Sequence, residues 1–304
     1  MLTLGRLITA MVTPFDQEGR VDVAQACALA QALVASGSDG VIVSGTTGES
    51  ATLTHDEEMR LFEAVRKALG TTGSLVAGTG SNSTATAMEM TQAAESVGAD
   101  GALLVVPYYN KPTQEGLYQH FKAIVESTRL PCMLYNVPGR TATNMLPETV
   151  ARLSDIPNIV GIKEASGDLE QIGRIIDLVN REDFHVWSGN DNDTLAVVQR
   201  GGYGVVSVSS HLVGRQMKEM IELALRGENE SAAAIHDHLT PLFRDLFIIS
   251  NPIPVKYALN QVGFQVGGLR LPMMPPDEEL GKRIMATVSK YTIDLPLPAG
   301  AVSA

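Results

Sequence analysis

Eight short apolar runs, each followed by a stretch with helical spacing, constrain this chain more than any other feature. The runs are LITAMV (7–12), VIVS (41–44), SLVAG (74–78), GALLVV (101–106), CMLY (132–135), NIVGIK (158–163), HVWSG (185–189) and GVVSVS (204–209). A strand that is apolar at consecutive positions is buried on both faces, which suits parallel strands covered by helices. Between the runs, Val23, Cys27, Ala30 and Val34 share one helical face. Leu117, Phe121 and Ile124 do so in a later segment, and Met217, Ile221 and Ala224 in the last. Thr54-His55-Asp56-Glu57 and Asp168-Leu169-Glu170-Gln171 both fit a capping box, in which two side chains satisfy free N–H groups at a helix start. ASGSDGVIVS, SVGADGALLV and QRGGYGVVSV repeat one phrase: helix end, glycine turn, buried strand. Eight βα units in about 225 residues predict an α/β fold, a (β/α)8 TIM barrel, with a doubly wound open sheet as the competing arrangement.

Residues 1–226 are therefore read as the barrel and 227–304 as a C-terminal helical domain, since no strand run falls in the second span. NESAAAIHDHLTPLFRDLF and NPIPVKYALNQVG carry packed-helix patterns there, and the tail LPLPAGAVSA has the composition of an extended end. Hydrophobic residues make up 44% of the 304, enough for a sizeable core. A net charge of −11 works against a phosphate-binding surface, so nucleic acid is not an expected partner. No apolar run reaches the roughly 18 residues that span a membrane. The opening MLTLGRLITAMVTPF is interrupted too soon by Pro14 for a secretory signal, and a cytoplasmic protein is expected. Cys27 and Cys132 share no motif and are expected to be reduced and buried.

In a parallel barrel the chemistry gathers where the strands end, at their C-terminal side. The polar clusters of this chain fall there: GTTGES (45–50), PYYNKPTQEG (107–116), YNVPGRT (135–141), Lys163 and SGNDND (188–193). A lysine at a strand end ordinarily snorkels to solvent. At the end of a buried central strand it is desolvated instead, and a neutral amine attacks carbonyls to give a Schiff base. Gly45 and Gly48 flank Thr46 and Thr47, and the free N–H groups of such a turn suit a carboxylate or phosphate. Tyr135 ends the fifth run and Tyr109 follows the fourth; tyrosines there ordinarily pack with a wet hydroxyl, but beside a reactive lysine one could relay protons. Arg140 is a fixed cation in a Gly/Pro loop, suited to a substrate carboxylate.

Other signals fail on their own chemistry. The histidines of HDH (236–238) point to different sides of a helix, and NDNDT (190–194) lacks the downstream Gly and Glu of a calcium loop. There is no Gly-x-Ser-x-Gly elbow, His-Glu-x-x-His pair or dinucleotide fingerprint. No metal and no cofactor is expected.

Together GTTGESATL, PYYNKPTQEGLYQHF, YNVPGRT, GIKEASGD and NPIPVKYAL resemble the dihydrodipicolinate synthase family, in order and spacing, from about residue 5 to about residue 275. The resemblance implies a Schiff-base aldolase barrel with a C-terminal helical domain, assembled as a homotetramer from two dimers. It implies that Lys163 forms an imine with pyruvate, that Tyr135 moves protons above it, and that Thr47 links Tyr135 to Tyr109 of the partner subunit. The backbone at Thr46 and Thr47 would hold the pyruvate carboxylate, Gly189 and Val206 would line its pocket, and Arg140 would bind L-aspartate 4-semialdehyde. Lysine and tyrosine are shared with aldolases that take other aldehydes; the arginine of NVPGRT favours the semialdehyde. A non-catalytic barrel that only binds a keto acid is the reading of a different class, and the intact set Lys163, Tyr135, Thr47 and Tyr109 opposes it.

The same resemblance places an L-lysine regulatory site at Ser50, Ala51, His55, Glu58, Asn82, Thr86 and Tyr108. Two of these depart from lysine-sensitive relatives. Thr86 stands where they place a glutamate, and Glu58 where some place a histidine. Weak or absent feedback is the expectation.

Overall fold

The computed structural model describes residues 4–297. Every apolar run is a strand: β1 (Leu7–Ala10), β2 (Gly40–Val43), β3 (Ser74–Gly78), β4 (Gly101–Val105), β5 (Cys132–Asn136), β6 (Ile159–Glu164), β7 (His185–Ser188) and β8 (Gly204–Ser207). Each pairs in parallel with the next, and β8 closes on β1 with Ile8 opposite Val206. The sheet is a closed barrel, which decides against the open doubly wound arrangement.

Continuous apolarity hides a strict alternation. Ile8, Ile42, Val76, Leu103, Met133, Trp187 and Val206 fill the barrel interior. Their neighbours Leu7, Val41, Leu75, Leu104, Leu134, Val186 and Val205 face outward into a second, larger apolar layer under the helices. Gly161 is a requirement of this packing. A side chain there would run into the His185 carbonyl and the Trp187 ring. Two positions on, Lys163 shares that inward face.

The covering helices are α1 (Val23–Ala35), α2 (His55–Leu69), α3 (Thr84–Ser96), α4 (Gln114–Glu126), α5 (Pro138–Thr141), α6 (Pro147–Ser154), α7 (Leu169–Leu178), α8 (Thr194–Gln199) and α9 (Ser210–Leu225). The repeated glycine phrase has one backbone cause: Gly37, Gly98 and Gly201 all take positive φ, at 114°, 79° and 100°. Thr54 and Glu57 form the full capping box of α2. At α7 only half of the expected box forms. Asp168 accepts from the Glu170 and Gln171 N–H groups, but the Gln171 side chain turns to Asn144 and Glu164. The buried face of α1 is Ala26, Leu29, Ala30 and Leu33, one position round from the expected stripe. Cys27 is consequently half-buried rather than buried. Cys132 is fully buried, which pushes its thiol up to about 12, and both thiols are free.

Beyond a turn at Gly227 come α10 (Asn229–Asp245), α11 (Ile253–Gln261) and α12 (Glu278–Val288). Leu239, Leu242, Phe243, Val255, Leu259 and Ile284 of these helices join the same apolar layer that surrounds the barrel. A polar tie reinforces the join, the Asp294 N–H donating to Leu212 O on α9 at 2.7 Å, while Thr287 Oγ1 of α12 donates to Asp245 Oδ2 of α10 at 2.7 Å and holds the C-terminal helices together. Most of the tail expected to be extended lies outside the described residues.

Candidate active site

Lys163 is the penultimate residue of β6 and is only 6% exposed. Tyr135 is its register partner on β5, and Lys163 Nζ lies 4.2 Å from the centroid of the Tyr135 ring. The amine thus meets an aromatic face rather than a carboxylate. Burial lowers its pKa to about 7, and the Arg140 guanidinium pushes the same way, while the buried carboxylate of Asp191 pulls back. The Tyr135 phenol moves upward, chiefly by burial; Arg140 and the Thr46 side chain oppose that rise. One arginine therefore acts on both side chains.

The turn after β2 supplies the opposite wall. Gly48 N–H donates to Gly45 O, Glu49 N–H to Thr46 O and Ser50 N–H to Gly45 O, which leaves the Thr46 and Thr47 N–H groups outside the turn's own bonds. The two threonines have separate surroundings. Thr46 stands against Tyr135, whereas Thr47 Oγ1 accepts from Asn251 Nδ2 at 2.8 Å and is buried. The Thr47 hydroxyl, expected to link Tyr135 to Tyr109, accepts from Asn251, and Thr46 is the threonine whose side chain acts on the Tyr135 phenol. Arg140 is exposed and donates to the Asn251 carbonyl at 3.4 Å, so Asn251 spans the loop and the arginine. PGRT, expected as a loop, is the one-turn helix α5.

The other expected site residues distribute as follows. Val206 fills the barrel interior, and Gly189 lies against Ala165, where a side chain would collide. Tyr109 is 88% exposed in a left-handed backbone conformation (φ 75°), and within this chain it is not brought to Tyr135. A cavity of about 410 Å³ opens beside the site, with Thr46, Val137 and Arg140 in one wall. Ser50, Ala51, His55, Glu58, Thr86 and Tyr108 form another wall of the same cavity. Asn82 is held behind it, donating to Tyr108 O at 3.2 Å. Burial and the neighbouring Glu57 push the Glu58 carboxyl up to about 8.

Several polar residues here carried no sequence signal of their own. Glu164, adjacent to Lys163 but facing outward, accepts from Asn136 Nδ2 at 2.9 Å and from the Ser166 N–H at 2.8 Å. Asp191, in the NDNDT segment, is buried and accepts from the Val208 and Ser209 N–H groups and from Ser209 Oγ. Among the described residues, no group of three His, Cys, Asp or Glu side chains gathers as a metal site.

Comparison with known proteins gives a consistent result. The chain matches the Dihydrodipicolinate synthetase family over residues 3–291. It is 63% identical to a 4-hydroxy-tetrahydrodipicolinate synthase of Dehalococcoides mccartyi, over 98% of this chain and 100% of that one. The corresponding protein of Heliobacterium modesticaldum is 50% identical over 96% of this chain and 97% of its own. Among solved structures, a dihydrodipicolinate synthase from Bacillus anthracis superposes with a TM-score of 0.93 at 45% identity, covering 96% of this chain and 99% of that one. One from Cyanidioschyzon merolae with lysine bound gives 0.92 at 48% identity, covering 93% and 97%. The chain belongs to the dihydrodipicolinate synthetase family.

Proposed function

We propose that Lys163 is the imine-forming residue of this chain and Tyr135 its proton carrier, in the condensation of pyruvate with L-aspartate 4-semialdehyde. The chain is a 4-hydroxy-tetrahydrodipicolinate synthase, a lyase of the diaminopimelate route to lysine. The observation that carries the residue assignment is an amine brought near neutrality beneath a phenol. At pH 7 a lysine with an ordinary pKa is neutral in only about one molecule in three thousand; at a pKa near 7 about half are.

The neutral Nζ attacks C2 of pyruvate, and loss of water gives a protonated imine. That iminium draws electrons from the methyl carbon, which yields a proton and becomes the nucleophilic enamine carbon. It attacks the aldehyde carbon of the semialdehyde, and the resulting alkoxide takes a proton. The semialdehyde's amino group then adds to the imine carbon, displaces Lys163 and closes the ring. Tyr135 suits the proton transfers because its raised pKa keeps it a phenol at neutral pH, while Thr46 and Arg140 ease its ionisation. The Thr46 and Thr47 N–H groups suit the pyruvate carboxylate, and Arg140 suits that of the semialdehyde. Gly189 and Val206 complete the pocket.

The relay assigned to Thr47 passes more directly through Thr46, with Thr47 holding the loop on Asn251. A large exposed Tyr109 suits service in the site of a second copy, as part of a homotetramer of two dimers. The outer cavity wall, where Glu58 and Thr86 stand, is the place for L-lysine, with weak feedback. No described helix is long and apolar enough to cross a membrane, and a cytoplasmic location is part of this reading. The test is product formation. Pyruvate with L-aspartate 4-semialdehyde should turn over at least a hundredfold more efficiently than pyruvate with sugar aldehydes, about 3 kcal/mol of discrimination. Equal turnover would assign the chain to an aldolase with another acceptor.

A further inference from the structure

A buried charged group outside the reacting set, Glu49, follows the Gly-Thr-Thr-Gly turn. Its backbone is left-handed, at φ 56°, a conformation that costs a non-glycine residue energy unless its surroundings hold it. Its carboxylate is buried, and both oxygens are taken by the C-terminal part of the chain. Lys256 Nζ on α11 donates to Oε1 at 2.9 Å, and the Arg270 N–H donates to Oε2 at 3.0 Å. Lys256 Nζ also donates to the Thr13 carbonyl at 2.8 Å, and Thr13 Oγ1 in turn donates to the Gly48 carbonyl at 2.6 Å. The Arg270 guanidinium continues the seam, donating to Thr52 O at 2.8 Å and to the Glu57 carboxylate at 2.6 Å. Residues 48–57 are thereby pinned at four places by groups from the other end of the sequence or from the turn after β1.

We infer that the Glu49–Lys256 pair is a positioning device that fixes the shape of the Thr46–Thr47 turn for its ligand, and that α11 acts on the active site through it. The inference rests on the reading that this turn receives the pyruvate carboxylate. A bare stabilising role would need only a compact apolar contact, and buried ion pairs are often no more stable than such contacts. What an ion pair adds is geometry: two opposite charges out of water tolerate little displacement. Here the geometry it specifies is that of a strained residue two positions from Thr47. A shift of about 1 Å in a binding group is enough to cost a large factor in substrate use.

The test separates positioning from stability. Lys256→Met removes the ammonium at similar length and leaves Glu49 buried without its cation. Glu49→Gln combined with Lys256→Met removes both charges. The single variant should raise the pyruvate KM about tenfold or more, leave kcat at saturating pyruvate within about threefold, and lower the melting temperature. The double variant should recover most of the melting temperature and little of the KM. Recovery of both would make the pair a stability element only and overturn the inference, as would an unchanged KM in the single variant. Should Lys256→Met not accumulate folded, Glu49→Gln alone carries the test with the same expectation for KM. Borohydride trapping of pyruvate on wild-type Lys163 is scored separately. Its failure would remove the imine reading, while the KM comparison still decides the role of the pair.

Discussion

Lys163 and Lys256 are both buried, at 6% and 1% exposure, in opposite chemical settings. Each amine is also near an aromatic ring, Tyr135 at 4.2 Å and Phe15 at 4.3 Å. The difference lies in what else each one touches. Lys256 has a carboxylate at 2.9 Å and a carbonyl at 2.8 Å, so the charged form has partners that offset part of its desolvation. Lys163 has a phenol face, with the Asp191 carboxylate acting on it only through space and an arginine of its own sign opposing that pull. Burial alone therefore does not make a lysine reactive. Burial without a hydrogen-bonded counter-charge brings the neutral amine within reach at neutral pH, which the proposed attack on pyruvate requires. The shift of Lys163 from 10.5 to about 7 corresponds to roughly 5 kcal/mol in favour of the nucleophilic state.

Removing Lys163, the proposed imine-forming member of the two, should give the largest effect. Lys163→Arg keeps a cation of similar reach but no nucleophile, and kcat should fall by about a thousandfold or more in a coupled assay. Residual activity within tenfold of wild type would mean that another amine can serve.

The next effect concerns the ring faces. Tyr135→Phe preserves the face above Lys163 and removes the proton, so kcat should fall by about 100- to 1000-fold. Tyr109→Phe should also be impaired. A mixture of the two variants should regain activity as subunits exchange, since some sites then receive both phenols. Verified mixed assemblies that stay inactive would place Tyr109 outside the relay.

Arg140 is the cation that acts on Lys163. Arg140→Ala should reduce efficiency with the semialdehyde by tens- to several-hundred-fold, about 2–4 kcal/mol for one charge-assisted contact, and leave pyruvate trapping largely intact. Arg140 lowers the pKa of Lys163, so its removal raises that pKa. The midpoint of trapping should therefore move to higher pH. Equal loss of trapping and condensation would make the arginine structural.

Glu49 and Glu58 repeat the contrast with carboxylates, and here the effect is smallest. Glu49 has Lys256; the Glu58 carboxyl is pushed up to about 8 by burial and by Glu57. At pH 7 most Glu58 side chains then hold a proton and do little for an ammonium ligand. With Thr86 also uncharged, half-inhibition by L-lysine at saturating pyruvate should lie above about 1 mM, or weaker than roughly −4 kcal/mol. Raising the pH through 8 deprotonates Glu58 and should tighten inhibition by up to about tenfold. Sub-millimolar inhibition that ignores pH would show that the residues shared with sensitive relatives suffice.

How far the sequence disclosed these settings follows from the range of each interaction. The eight strands were legible because parallel barrel strands are apolar at consecutive positions, and Lys163 because it breaks such a run. The rotation of the α1 face was not, since its alanines fit two adjacent stripes equally well. Thr46 and Thr47 are neighbouring hydroxyls, and only the approach of Asn251, 204 positions away, separates their tasks. Lys256 meets Glu49 across 207 positions, and Asp191 meets Ser209 across 18; no local pattern marks either contact. Asn251 and Lys256 both lie in NPIPVKYAL, a segment that carried the resemblance without a stated role.

Burial lowers both amines, but Lys256 is hydrogen-bonded to a carboxylate and Lys163 is not, so Lys163 is expected to be the amine that attacks pyruvate. Borohydride reduction with pyruvate across a pH series, followed by peptide mapping, tests it in one measurement. The expected result is a single label on Lys163, rising with pH to a midpoint near 7. A label on Lys256, or a midpoint near the ordinary lysine value of 10.5, would contradict it.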